Sequence, residues 1–222
     1  MPLQLPDVPA NAYAIITAAI SRLSLAEGGA STVTKVADPS KLNVALPHKV
    51  FTLGSDDIAR GRNLSRAQLV AWRFLIQDGS RTIAAIELAC DVAGGNVRFA
   101  SVDTGPFAQE TRNVVQHAER LDAVKQGSYE LRVLKAPSVY AMAAWLKNLT
   151  GPDDIVIPID PDHPVAVNSA ANAPAIAGGA SQLAAGASPA QGAAGFLAGL
   201  QPTAKTALGF DSTPPSKPGS SR

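Results

Sequence analysis

The chain is short of the residues that many functions require. One cysteine in 222 residues leaves no internal disulfide and no thiolate-rich metal site. Lysine and arginine number 19 against 18 acidic residues, and the formal net charge of +1 exerts no overall pull toward nucleic acid or an anionic membrane. Aromatic residues make up 5% and are not interleaved with basic ones, so single-stranded nucleic acid finds no stacking platform. No apolar run reaches the roughly 18 residues that span a bilayer, and the opening MPLQLPDVPANAY lacks the basic and apolar regions of a secretory signal. The Gly-Gly pairs at 28–29, 94–95 and 178–179 fit neither the dinucleotide fingerprint nor the triphosphate-binding loop. There is no repeat of fixed period. The expectation is a soluble, cytoplasmic protein with no cofactor, no nucleic-acid partner and no membrane.

What is present is a hydrophobic content of 46%, enough for one domain with a real core. Its most legible part is residues 67–107. Val70, Trp72, Phe74 and Ile76 alternate with Ala71, Arg73, Leu75 and Gln77, the period of a strand. Thr82, Ala84, Ile86, Leu88 and Cys90 share one face of a second strand, and Asp78-Gly79 between the two marks a hairpin. A two-residue loop at Asp78-Gly79 sets Val70 against Glu87 and Ile76 against Arg81, with charges on the apolar face. A loop of residues 77–79 instead pairs Phe74 with Thr82, Trp72 with Ala84 and Val70 with Ile86. The second register is expected, with Gly79 left-handed. Arg73 then lies on the other face, near Glu87. Gly94-Gly95 makes the next turn; pairing Ala93 with Asn96 sets Cys90 opposite Phe99 and Asp91 opposite Arg98.

Around this meander, Asn11 is suited to cap a helix carrying Ile15, Ile16, Ala19, Ile20 and Leu23 at helical spacing, ended by Gly28-Gly29. Residues 30–40 read as a connector. Residues 42–53 are strand-like at both ends with Pro47 inside, which makes an edge strand, a bulge or two short strands. The polar residues 54–65 form a loop or short helical turn. Arg60, Arg62 and Arg66 there are a candidate anion site, set against the reading that they pair with Asp56 and Asp57. Pro106 opens a helix with the stripe Phe107, Thr111, Val114, Val115, Ala118, Leu121 and Val124, closed by Gly127. Residues 129–135 alternate as a fourth strand. Ser138 caps a helix through Val139, Met142, Trp145, Leu146 and Leu149, and residues 155–157 form a short buried strand. From residue 160 onward Pro, Ala, Gly and Ser dominate, so residues 168–222 are expected to be mostly disordered. The exception is a short helix after Ser188-Pro189 with Phe196, Leu197 and Leu200 on one side, which would serve as a docking peptide.

The fold class expected is α+β, an antiparallel meander of about four to six strands with about three helices packed on it in two layers. Residues 1–8 would be extended, 9–164 one domain and 165–222 a low-complexity tail. The helix followed by a strand-rich meander resembles the cystatin-like and NTF2-like cone architectures; the resemblance is architectural and brings no residue roles.

No catalytic residue is assigned. Cys90 and His117 would need an acid to form a nucleophile–base set, but Cys90 falls on the core face and no nucleophile elbow surrounds it. Asp153, Asp154, Asp160, Asp162 and His163 are split by the strand at 155–157, so turn capping is expected of them and no metal site. Two function classes follow. The first is a non-catalytic interaction module that binds a protein partner through a sheet edge, a helix face or the tail. The second is a small-molecule-binding protein or enzyme with a pocket between sheet and helices. The candidate polar residues for such a pocket or interaction surface are Arg73, Glu87, Arg98, His117, Tyr129 and Arg132.

Overall fold

A computed structural model describes residues 3–25, 41–163 and 190–209. Its centre is one sheet of nine strands: β1 (Leu3–Gln4), β2 (Leu42–Thr52), β3 (Gln68–Asp78), β4 (Arg81–Ala89), β5 (Arg98–Asp103), β6 (Tyr129–Ala136), β7 (Ala141–Asn148), β8 (Ile155–Pro158) and β9 (Gln191–Gly192). Their order is β5-β4-β3-β2-β6-β7-β8-β9, with β1 also beside β6. The pairs are antiparallel except β1–β6 and β2–β6. The helices are α1 (Ala12–Leu25), α2 (Ser55–Ala59), α3 (Pro106–Ala118), α4 (Asp122–Gln126) and α5 (Ala193–Ala207).

The sheet is therefore not a meander of four to six strands. Two antiparallel ladders, β2 to β5 and β6 to β9, are welded side by side through the parallel contact of β2 with β6. From the edge strand β5 the chain crosses one face as α3 and α4 and re-enters the sheet at its middle. Nor are there two layers, because helices cover both faces. One face carries Trp72, Phe74, Ile76, Ile86 and Leu88 under Ala12, Ile16, Ala19 and Ile20 of α1. Its other half carries Leu134, Ala143, Trp145 and Val156 under Ile58 of α2 and Phe196, Leu197 and Ala204 of α5. The opposite face carries Val50, Leu131, Val133, Ala144, Leu146 and Ile157 under Val114, Val115, Ala118 and Val124 of α3 and α4.

The β3–β4 hairpin keeps the expected faces but not the expected register. Asp78 pairs with Arg81 across Gly79-Ser80, and a bulge then brings Phe74 opposite Ile86 and Trp72 opposite Leu88. Beyond the bulge the true register differs from the expected one by four residues, an even shift that leaves Trp72, Phe74, Ile86 and Leu88 on their side, while at the bulge Ile83 joins Ala84 on the α1 face. Gly79 takes φ 58, as a tight turn requires. In the next hairpin Leu88, not Cys90, faces Phe99. Asp91 does not meet Arg98; its carboxylate accepts from the backbone N–H of Ala93 and Gly95 and from the Asn96 side chain, closing the loop.

Other expectations also need correction. Residues 141–148 are a strand where a helix was expected. Ala143 and Trp145 face α5 while Ala144 and Leu146 face α3, so both sides are buried and the usual alternation of apolar with polar disappears. Of the three alternatives for Pro47 the structure takes the bulge, between Ala45 and His48, and not the sheet edge: the strand is flanked on both sides, and Leu46 adopts φ 48 there. The helix begun at Pro106 breaks after Ala118 and resumes as α4, which Gly127 caps. Residues 191–207, inside the stretch expected to be disordered, form β9 and α5; the apolar side at Phe196 and Leu197 docks on the chain's own sheet. Gly28-Gly29, residues 30–40 and, of the expected tail, residues 165–189 and 210–222 lie outside the described residues.

Candidate functional site

The face under α3 holds one polar inset. Along β3, Ala71 and Leu75 point to this face and are covered, with Leu75 beneath Ala108 of α3. Arg73 lies between them, beyond the helix start, and is buried at 2% exposure. Its Nη1 donates to Oε1 of Glu87, its cross-strand partner, at 2.7 Å, and its Nη2 donates to Oδ2 of Asp103 on β5 at 2.9 Å. Lys135, at the end of β6, donates from Nζ to the same Glu87 oxygen at 2.5 Å. Two cations thus meet two carboxylates, and charged hydrogen bonds inside a poorly hydrated site are the strong ones.

His48 stands opposite Arg73 on β2 and is fully buried. Its Nδ1 lies 2.6 Å from the carbonyl oxygen of Leu46. A carbonyl only accepts, so Nδ1 carries the proton and donates. Among the described residues, His48 Nε2 and Arg73 Nε have no hydrogen-bond partner. Burial first, and then the positive charge of Arg73, lowers the His48 pKa to about 4, so the ring is neutral at physiological pH. Burial alone would raise the Glu87 carboxyl, but the hydrogen bond and charge of Lys135, with those of Arg73, hold it below its usual value.

A groove opens beside this inset. One wall is the start of α3, where Asp103 Oδ1 accepts from the Gly105 N–H at 2.8 Å and Phe107 is 39% exposed. The other wall is the turn between β6 and β7. A 3-10 turn, Pro137–Val139, ends on Tyr140, which adopts the left-handed φ of 52 and is 97% exposed. A depression of about 370 Å³ is lined by Arg73, Glu87, Ser101, Asp103 and Lys135 together with Phe107, Tyr140 and Met142. A second, of about 580 Å³, shares Phe107, Tyr140 and Met142 and runs round the end of the sheet past Asp160 and Asp162 to Phe196 and Leu200. Asp160 accepts from His163 Nδ1 at 2.9 Å, a bond that holds its carboxyl below the usual range. The groove is internally neutral at one end, aromatic in the middle and acidic at the other end.

Of the six polar residues singled out in the sequence, only Arg73 and Glu87 converge. Arg132 points to the opposite face, where its guanidinium lies 4.9 Å from the ring centres of both Phe51 and Trp145 and its Nε donates to Glu130. Arg98 is exposed on β5. His117 lies in the last turn of α3, and Tyr129 is buried in the core beneath that helix. Arg60, Arg62 and Arg66 share a hollow of about 370 Å³ with Asp56 and Asp57. Arg60 pairs with Asp56 at 3.0 Å and Arg66 with Asp57 at 3.7 Å. Among the described residues no group of three metal-ligating side chains occurs, and no helix is long and apolar enough to cross a membrane. Asp154, one of the clustered acids, accepts instead from Trp145 Nε1, Lys147 and the Asn148 N–H.

The site residues missed in the sequence are His48, Asp103, Lys135, Phe107 as an exposed ring, and Tyr140. Lys135 had a signal: it continues the odd-numbered face of Leu131 and Val133, so a charge was due on a buried face. Tyr140 has none, since residues 138–149 carry the spacing of a helix. No protein-family model, no curated protein and no solved structure matches this chain.

Proposed function

We propose that the protein is a non-catalytic interaction module that receives an extended segment of a partner protein along the groove between Phe107 and Tyr140. The observation that carries this reading is Tyr140 itself. A large aromatic residue stands almost wholly in solvent, in a backbone conformation that costs on the order of 1–3 kcal/mol outside glycine, at the ridge between two depressions. Exposed aromatic anchors flanked by pockets are the usual hot spots of protein recognition. The inset argues for a platform, because Arg73 spends both terminal nitrogens on Glu87 and Asp103 and keeps no free charge for a small ligand. The partner segment would offer apolar or aromatic anchors to Phe107, Tyr140 and Met142, and a basic residue to Asp160 and Asp162.

A second reading, a small-molecule pocket, draws on the convergence of Arg73, Glu87, Asp103 and Lys135 in the smaller depression. One experiment addresses both. Peptides selected from a random displayed library on the full chain are titrated by calorimetry against the parent protein, Tyr140→Ala, Phe107→Ala and, as a surface control, Arg62→Ala. The expected loss is roughly 2 kcal/mol for each aromatic variant and none for the control. Equal affinity in all four proteins defeats the groove reading. A small polar compound that displaces the peptide, and whose own binding Lys135→Met abolishes, moves the assignment to the second.

A further inference from the structure

The two ends of the sheet are finished differently. At one end β9 is two residues long and runs straight into α5. At the other, β5 spans six residues, pairs only with β4 among the described residues, and leaves residues 98–101 exposed. A free strand edge is a template for another strand, and proteins that avoid this place lysine or proline there. β5, with the sequence RFASVD, has neither; its one irregularity is a bulge at Ala100 against β4, which sets Phe99 and Val102 on the same face.

We propose that β5 is the edge through which two copies of this chain pair, antiparallel, into one continuous sheet. The segment is complementary to itself. A two-fold axis between Ala100 and Ser101 sets Arg98 opposite Asp103 of the second copy, Phe99 opposite Val102, and Ala100 opposite Ser101. Opposite charges meet at both ends and no like charges face each other. The faces agree as well. Phe99 pairs with Leu88 and Val102 with Ile86, both on the α1 face, so the row formed across the axis is apolar on that side. Arg98 pairs with Ala89 and Asp103 with Ala85, both on the α3 face, where Asp103 already holds Arg73. Slipping the register by one residue sets Phe99 against Asp103 or Ser101 of the other copy and mixes the two faces, so one register is favoured.

The surroundings of β5 fit a second copy. Phe99 is 45% exposed and closes an apolar hollow of about 340 Å³ with Ile15, Ala18, Ala19 and Arg22 of α1. In the paired arrangement the hollows of the two copies lie on the same side of the joined sheet, flanking the new ladder. On the other side, Arg98 of the second copy reaches the Asp103 carboxylate and so enters the rim of the smaller depression of the groove. The pairing stands on the edge alone and does not depend on what the groove binds.

Sedimentation velocity of the full chain over a concentration series tests this, with Arg98→Glu and Phe99→Lys as variants. Both positions are exposed, and circular dichroism melting checks that each variant folds. The parent is expected to sediment as a concentration-dependent dimer. Arg98→Glu places a carboxylate against Asp103 twice per dimer, and each variant should weaken association roughly tenfold or more. A parent that remains monomeric throughout overturns the proposal. So does a dimer that neither folded variant weakens, since it would form through another surface.

Discussion

Arg73 and Arg132 sit on inner strands of the same sheet, point to opposite faces, and are accommodated by different physics. Arg73 is enclosed by carboxylates, with 3% of its side chain exposed; Arg132 is 19% exposed and lies between two aromatic rings, with Glu130 as its ion-pair partner. Each marks a place where helical cover stops. On one face the gap falls between α1 and the α2–α5 pair, and Phe51, Trp145, Lys49 and Glu130 fill it. On the other the gap falls past the start of α3 and is left open, with Tyr140 and Phe107 standing over it. A gap that the chain fills with its own rings needs no partner. A gap floored with neutralised charge and walled with exposed rings is the one we propose a partner covers.

Arg73→Ala leaves Asp103 and part of Glu87 without their cation in a buried setting, and should cost about 3–5 kcal/mol of folding stability. Arg132→Ala loses stacking and stem packing at a partly hydrated site and should cost about 1–2 kcal/mol. Urea denaturation of the two variants measures the difference. Equal losses would mean that the two environments are not distinct in kind.

The two faces also differ in their response to pH. His48 is neutral in the fold with a pKa of about 4, against an ordinary value of 6.5. Above 6.5 the unfolded and folded chains both hold the neutral ring, and its titration contributes nothing to the balance. As pH falls from 6.5 toward 4 the unfolded chain takes up the proton first, so stability drops. At pH 5 the loss relative to pH 7 should be about 2 kcal/mol, and His48→Gln should remove that slope. Glu87 acts in a lower window: its carboxyl is held below its usual value, so its contribution is present above that value and fades only under more acid conditions. Parallel denaturation curves for parent and His48→Gln at pH 7 and pH 5 would contradict the burial-driven shift.

How much of this was legible in the sequence depended on whether a residue's pattern was local. Trp72, Phe74 and Ile76 alternate with residues of the other face, and that parity held between β3 and β4 because the register error beyond the bulge was four residues, an even number. Arg73 and Glu87 were found for the same reason: a charge on the second face of a strand sought a charge on the next. Residues 141–148 were unreadable as a strand because helices cover both of their sides, so Met142, Ala143, Ala144, Trp145 and Leu146 show no polar beat. The β2–β6 contact joins residues some eighty positions apart, such as Lys49 and Arg132, and no local pattern encodes it. Lys135 reaches the Arg73 inset through that contact, and His48 through the β2–β3 ladder, which is likewise non-local, so half the cluster stayed invisible. Composition misled at α5: a segment poor in charge and rich in alanine and glycine cannot fold alone, yet Phe196 and Leu197 find a sheet face to cover.

The smallest effect on stability is expected where the effect on binding is largest. Tyr140 touches solvent on almost every side, so replacing it removes little packing, while its left-handed φ of 52 is a conformation that glycine adopts without strain. Tyr140→Gly should therefore leave stability unchanged or raise it by up to about 1 kcal/mol, the relief of strain being partly offset by the greater freedom of glycine in the unfolded chain. The same variant should lose the peptide that the groove selects. Arg73→Ala would show the converse, a large loss of stability with binding impaired only as far as the fold is. If Tyr140→Gly instead destabilises the protein by as much as a core substitution, the tyrosine belongs to the scaffold and the groove loses its anchor. Denaturation midpoints and calorimetric titrations of the two variants, taken together, decide whether the exposed ring is held in strain for the fold's sake or for a partner's.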